Sequence, residues 1–282
     1  MKKNKGFTLV ELLVVIAVIA LLMAILLPAL TKAKTQAKRI ICLNGLKQLM
    51  TAWMAYADNH DGKIVNGGQA PPPPNDPPSA RVTEPYWCSS FHTATDPGYD
   101  WNWDAVISCT LNTPVLSLEQ RLEKLKRGAL FRYCNNVKSY RCPEAVKDMQ
   151  RTYIMPTPMN AQWTTNPQDQ MYPPSRVAKR LGQIKKSAER VVFFEEKQIS
   201  PDAFQFPFYP GSPRWGPDVP NIMHGDGANF GFADGHADFH KWECKETLDW
   251  VKRNYTGADP TYAECPKDLA WMHIAVWGIP VQ

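Results

Sequence analysis

Two places in this chain put chemically active side chains at informative spacings. The first is Glu11, which stands in a run from Phe7 to Leu30 that is otherwise apolar apart from Thr8. A carboxylate inside an apolar segment costs a few kcal/mol on membrane-insertion scales, so such groups stay protonated or acquire a positive partner. If the chain is cut between Gly6 and Phe7, the new α-amino group of a neighbouring copy supplies that partner, and burial of Glu11 then favours assembly. The second place is His224 to Trp242, which holds His224, Asp226, Asp234, His236, Asp238 and His240. On a strand, His236, Asp238 and His240 would share one face, with His224, Asp226 and Asp234 approaching from the turn and the preceding loop. Such a set could bind calcium or another divalent metal. A metal-free reading explains the same residues: alternating polar residues form the solvent face of a strand, and Asp beside Gly bonds its own turn. No HExxH, phosphate loop or nucleophile elbow occurs, so the expectation is a protein without catalytic activity and without a cofactor.

The elements that position these groups follow from the pattern. Residues 1–6 form a short basic leader, and residues 7–30 are long enough to cross a bilayer, for which roughly 20 residues suffice. An ordinary secretory signal shares the basic start, but this apolar run is longer and its small-residue exit near Ala29-Leu30-Thr31 is poor. From Thr31 the pattern stays helical, with Ile40, Leu43, Leu46, Leu49, Met50, Trp53 and Met54 at three- and four-residue steps. A helix from Phe7 to Asp58 would run roughly 78 Å. The segment Asp58-Asn59-His60-Asp61-Gly62 ends it, with Gly62 suited to a left-handed cap. This acidic loop lacks the alternation of an EF-hand.

At this point a family resemblance is visible. Lys5-Gly6-Phe7-Thr8-Leu9-Val10-Glu11-Leu12-Leu13-Val14-Val15-Ile16 resembles the signal of type IV pilins and type II secretion pseudopilins, and Pro28 falls where many such helices carry a kinking proline. The resemblance implies cleavage after Gly6 by a prepilin peptidase, methylation of the Phe7 amine, and a contact from Glu11 to the amine of the adjacent subunit. It also implies partners: other pilin-like subunits, an inner-membrane assembly platform and the lipid bilayer. Farther on, a short helix at Leu118 to Arg127 and the Tyr140-Arg141-Cys142-Pro143 turn are similar to the same family, as is His224 followed nine residues later by Asp234-Gly235.

The remainder, residues 63–282, reads as an extracytoplasmic head. Residues 66–115 form an insertion, rich first in proline and then in aromatic residues: Tyr86, Trp87, Tyr99, Trp101 and Trp103. Those rings either pack the insertion or stack on a glycan or protein ligand. The second option defines the alternative function, a membrane-anchored surface binding protein that uses the signal only for export. Arg190 to Phe194 is a buried-strand pattern, and Asp234-Gly235 marks the hairpin of residues 224–242. Apolar residues Leu248, Trp250, Val251, Leu269, Met272 and Val276 belong to helices expected to cover the sheet. The fold class is α+β, a long helix on a small antiparallel sheet with insertions.

Seven cysteines without a CxxC pair favour disulfides over a zinc ribbon. Outside the cytoplasm, Cys134 and Cys142 are close enough to close a short loop, Cys88, Cys109, Cys244 and Cys265 supply two further bridges, and Cys42 remains free. A net charge of +5, partly from the N-terminal lysines, marks no nucleic-acid face. Lys32, Lys34, Lys38 and Arg39 outnumber Lys2, Lys3 and Lys5, so charge counting alone leaves orientation open. The implied peptidase and the cysteines together place the N-terminus in the cytoplasm and the head outside a single inner-membrane span.

Overall fold

The computed structural model describes residues 8–68, 87–88, 117–145, 150–160, 170–196, 203–216, 218, 221–253 and 260–281. Its organising element is α1 (Leu9–Asp58), 50 residues long and roughly 75 Å end to end. Thr8 caps its start: the Thr8 hydroxyl accepts from the Glu11 amide at 3.3 Å, and Glu11 Oε2 accepts from the Thr8 amide at 2.8 Å. This reciprocal pair satisfies two of the amides that a helix start leaves without partners. At the other end the Gly62 amide donates back to the Ala57 carbonyl at 2.8 Å, with Gly62 at φ 76°. That left-handed backbone is where glycine carries no steric penalty.

The two halves of α1 have opposite surroundings. Every residue from Thr8 to Leu30 is exposed, whereas Cys42, Gly45, Leu46, Leu49, Met50, Ala52, Trp53, Tyr56 and Ala57 are buried. The buried stripe is therefore rotated from the one expected. Cys42, Ala52 and Tyr56 point into the head, and Ile40 and Met54 face outward, at 55% and 38% exposed.

Beneath the docked half lies a four-stranded antiparallel meander: β1 (Tyr153–Ile154), β2 (Val191–Glu195), β3 (Gly227–Phe232) and β4 (Ala237–Lys241), in that order. The two-residue β1 carries no pattern that sequence reading detects, and it exists because Tyr153 pairs with Glu195 and Ile154 with Phe194. A register shift within β2 between Val191 and Phe193 changes the alternation. Val192 and Phe193 consequently join the α1 side, while Val191 and Phe194 join the opposite side. Such a bulge turns two neighbouring side chains onto one face.

The sheet thus separates two cores. On one side Leu46, Leu49, Met50 and Trp53 of α1 pack with Phe193, Tyr153, Tyr140 and Trp87. Helix α2 (Leu118–Lys126) adds Leu125 to this side. On the other side Phe194, Phe230 and Trp242 meet α3 (Lys245–Lys252) and α4 (Pro266–Trp277) through Trp250, Val251, Leu269, Met272 and Val276. The C-terminal helices do cover the sheet. Trp87 is fully buried and packs on Phe193, with ring centroids 5.0 Å apart. Tyr86, Tyr99, Trp101 and Trp103 lie outside the described residues.

Glycine sets the spacing of the β3–β4 hairpin. A Cβ on Gly227 would stand 2.1 Å from the His240 carbonyl oxygen and 2.6 Å from Phe239 Cζ, whereas one on Gly182 would meet nothing within 4 Å. Gly227→Ala should therefore lower the stability of the detergent-solubilised protein by about 1–3 kcal/mol. Gly182→Ala should change it by less than about 0.5 kcal/mol. Chemical denaturation followed by tryptophan fluorescence checks both; equal stabilities would refute the close approach.

Candidate functional site

Gly6 and Phe7 lie outside the described residues, and the structure begins at the cap that follows them. Glu11 occupies the third position of α1, exposed, with Oε2 accepting from both the amide and the hydroxyl of Thr8, at 2.8 and 2.7 Å. Thr8 and Glu11 carry the Thr-x-x-Glu spacing of a capping box, a signal that the membrane-based reading of Glu11 overlooked. Beyond the apolar half, two of the four following cations engage the head. Lys38 pairs with Glu144 at 2.8 Å, and Arg39 lies over the Phe239 ring at 4.5 Å.

The His-Asp-Gly segment forms the expected hairpin. The turn is closed by the Phe232 amide donating to the His236 carbonyl at 2.9 Å, with Gly235 at φ 97°. The amide of His236 donates to Asp234 Oδ1 at 3.1 Å. The five weaker metal candidates do not converge, because each has other work. Asp234 Oδ1 lies 2.5 Å from His236 Nδ1, whose ring stacks on Phe232. Asp226 pairs with Lys241 at 2.7 Å. Asp238 is exposed and accepts from the Phe239 amide, and His240 stacks on Trp271 with centroids 3.6 Å apart. His236 precedes β4 instead of lying on it, so the three residues do not share a strand face.

The structure gathers a different set. His224, from the loop before β3, is buried beside Glu195 at the end of β2 and Cys142 of the Cys-Pro turn, with Cys42 of α1 completing the group. His224 Nε2 lies 2.9 Å from Glu195 Oε1 and 3.4 Å from Cys142 Sγ. Asn229 holds Glu195 in place, its amide donating to Oε2 at 3.1 Å and its side-chain amide to Oε1 at 3.2 Å. The Glu144 amide donates to Cys142 Sγ at 3.3 Å. Burial alone would push the His224 imidazole down, yet its hydrogen bonds to Cys142 and Glu195 raise it to about 9. The Cys42 contact lowers the Cys142 thiol to about 7, while Cys42 itself is pushed up by Cys142 and by burial.

These contacts correct the disulfide expectation. Cys134 and Cys142 are both free thiols and lie in different clusters: Cys134 packs with Leu130 and Tyr140, and Cys142 with Cys42. The 3-10 turn at Val137–Tyr140 separates them, so closeness in sequence does not bring the sulfurs together. Cys42, expected to stand alone, has a sulfur neighbour. Cys244 and Cys265 also approach each other, next to Asp268, and Cys109 lies outside the described residues. Sequence reading missed Cys42 and Glu195 as site residues. The available signal was that Cys42 continues the inward stripe through Leu46, Leu49, Trp53 and Tyr56.

Fold and site together fit a membrane-anchored protein: among the described residues one helix is long and apolar enough to cross a membrane, its apolar half is not buried by them, and an α+β head follows. The family model described as the prokaryotic N-terminal methylation motif matches residues 1–27, so the chain carries the type IV pilin and pseudopilin signal, that of a precursor processed by prepilin peptidase. The match ends well before the His224 to Gly235 segment. No curated protein and no solved structure matches the chain.

One group in this region reports on pH. Burial pushes the His240 imidazole down to about 4, against the opposing pull of Asp268, Glu243 and Asp238. The unfolded side chain titrates near 6.5. Between those values the unfolded chain holds a proton that the folded chain does not, so stability is lost as pH falls from about 6.5 to about 4. His240→Phe, which can keep the stack on Trp271, should flatten that part of the curve. Denaturation midpoints across pH 4–7 provide the check, and an unchanged slope would count against a buried neutral His240.

Proposed function

We propose that the chain is a structural subunit, a pseudopilin or minor pilin-like protein, of an extracytoplasmic filament of a type II secretion or type IV pilus-like system. It is cut after Gly6 and methylated on Phe7, and it waits as a single-pass inner-membrane protein with its N-terminus in the cytoplasm and its head outside. Its role is assembly, not catalysis. Orientation rests on the processing signal.

The observation that carries this reading is the uncovered half of α1. From Leu9 to Leu30 it presents sixteen large apolar side chains at 47–77% exposure, and none of them touches the head closely enough to be buried. At about 1.5–3 kcal/mol for each side chain fully buried, leaving them in water would cost on the order of tens of kcal/mol. Lipid covers them before assembly, and the same segments of other subunits cover them in the filament. Between Leu9 and Leu30, Glu11 then becomes the one charged side chain in a dry bundle. Its Oε2 is occupied by Thr8, and among the described residues no hydrogen bond is made to Oε1, which leaves that oxygen to the amine of the next subunit.

Glu11→Val should leave membrane insertion intact and lower filament yield at least about tenfold, because a lost charge pair in an apolar layer exceeds roughly 1.4 kcal/mol. Yield of sheared filaments from cells expressing the variant is the measurement, and wild-type yield would sink the role given to Glu11. Separately, Gly6→Val should leave an uncut precursor that migrates more slowly on a denaturing gel, and normal processing of that variant would refute cleavage at this site.

A further inference from the structure

We propose that Cys42, Cys142, Glu195 and His224 form a structural zinc site that fastens the long helix to the head. The proposal is independent of whether the protein polymerises. The four residues come from four separate parts of the chain: α1, the Cys-Pro turn, the end of β2 and the loop before β3. Their ligand atoms nevertheless all lie within 4.8 Å of one another, and no residue of the four is more than 5% exposed. With zinc bonds of about 2.0–2.3 Å, the corners of a tetrahedral shell stand roughly 3.3–3.8 Å apart. The observed separations of 2.9 and 3.4 Å about His224 Nε2 bracket the lower end of that range. Closing the shell around an ion draws together ligand atoms that already lie within 4.8 Å of one another.

The contacts around the shell favour a cation at its centre. A single imidazole nitrogen, Nε2, faces both the Cys142 sulfur and a Glu195 oxygen, and one N–H cannot point well at both. A metal ion between them would meet all three as ligands. The outer contacts suit ligation too. The Glu144 amide donates to the Cys142 sulfur, which stabilises a thiolate, and Asn229 donates twice to the Glu195 carboxylate, which fixes its orientation. Two sulfurs with one nitrogen and one oxygen suit zinc and are the wrong donor set for calcium or magnesium. The other sulfur-containing group, Cys244, Cys265 and Asp268, offers three donors, and both Asp268 oxygens already accept backbone amides, from Glu243 and Cys244.

The position of the site indicates its purpose. Cys42 is the first buried residue of α1, at the point where the exposed half of the helix enters the head. Load applied through the apolar half reaches the head there and through the contacts of Lys38 and Arg39 one turn earlier. A metal bond at that point resists peeling of the helix more firmly than the apolar contacts that follow it.

The test uses the full-length protein purified in detergent under anaerobic conditions. Elemental analysis should find about one zinc per chain, and exchange with cobalt should give the intense near-ultraviolet band of cobalt–thiolate bonds. Cys142→Ser and His224→Ala should reduce bound zinc at least about tenfold, whereas Cys134→Ser should retain one per chain. Chelation of zinc from the wild-type protein, which involves no substitution, should lower its melting temperature reversibly. Wild-type protein that holds less than one tenth of a zinc per chain after incubation with excess zinc would overturn the proposal. Recovery of a Cys42–Cys142 disulfide peptide as the main species from the anaerobic preparation would overturn it as well.

Discussion

One constraint organises this molecule: a single helix must satisfy two incompatible environments along its length. From Leu9 to Leu30 it offers water nothing but apolar surface and one carboxylate, and from Cys42 onward it supplies one wall of a protein core. A single helix, its hydrogen-bonded ladder lacking one donor at Pro28, links the halves, since a helix satisfies its own backbone whether lipid, protein or water surrounds it. The head is therefore fixed to the helix through the core contacts of Leu46, Leu49, Met50 and Trp53, with Cys42 beside Cys142, Glu195 and His224 where the helix enters.

The sheet is built to accept that helix. The irregularity in β2 turns Val192 and Phe193 toward α1, where an unbroken alternation would send one of them to the opposite face. Gly231 continues the same accommodation on β3: a Cβ there would stand 3.0 Å from Met50 Cγ, so the missing side chain lets the helix close on the sheet. The far face carries the aromatic pile of Phe194, Phe230, Trp242 and Trp271, capped by the two C-terminal helices. A strand pair alone would be marginal in water, and two covered faces give this small sheet its stability.

Buried polar groups concentrate where the elements meet. Asn229 on β3 grips Glu195 on β2, and Asn160 donates to the Ile64 carbonyl just past the end of α1. Each such bond spans parts of the chain far apart in sequence, and leaving any of them unmade in the interior would cost about 1–3 kcal/mol. These groups specify one arrangement of helix, turn and sheet where apolar packing alone would tolerate several.

Local chemistry determined a large share of this protein from sequence alone. An apolar run of more than 20 residues, broken only by Glu11, reads as a helix by its length, Asp-Gly closes a hairpin because glycine tolerates positive φ, and Arg190 to Phe194 reads as a strand because its residues are β-branched and aromatic. The processing signal is likewise contiguous, which is why residues 1–27 could be recognised. What tertiary structure alone decided is everything that depends on distant residues meeting. The rotation of α1 that buries Cys42 and exposes Ile40 is set by the sheet it packs on, and β1 exists only through its pairing with β2. The Cys134–Cys142 expectation failed for the same reason: proximity along the chain says little about where two sulfurs point once a 3-10 turn intervenes. Cys42 and His224 stand 182 positions apart, and no short-range pattern records that they share a site. Their meeting follows from the packing of α1 against the meander, which exists only when the whole head has folded.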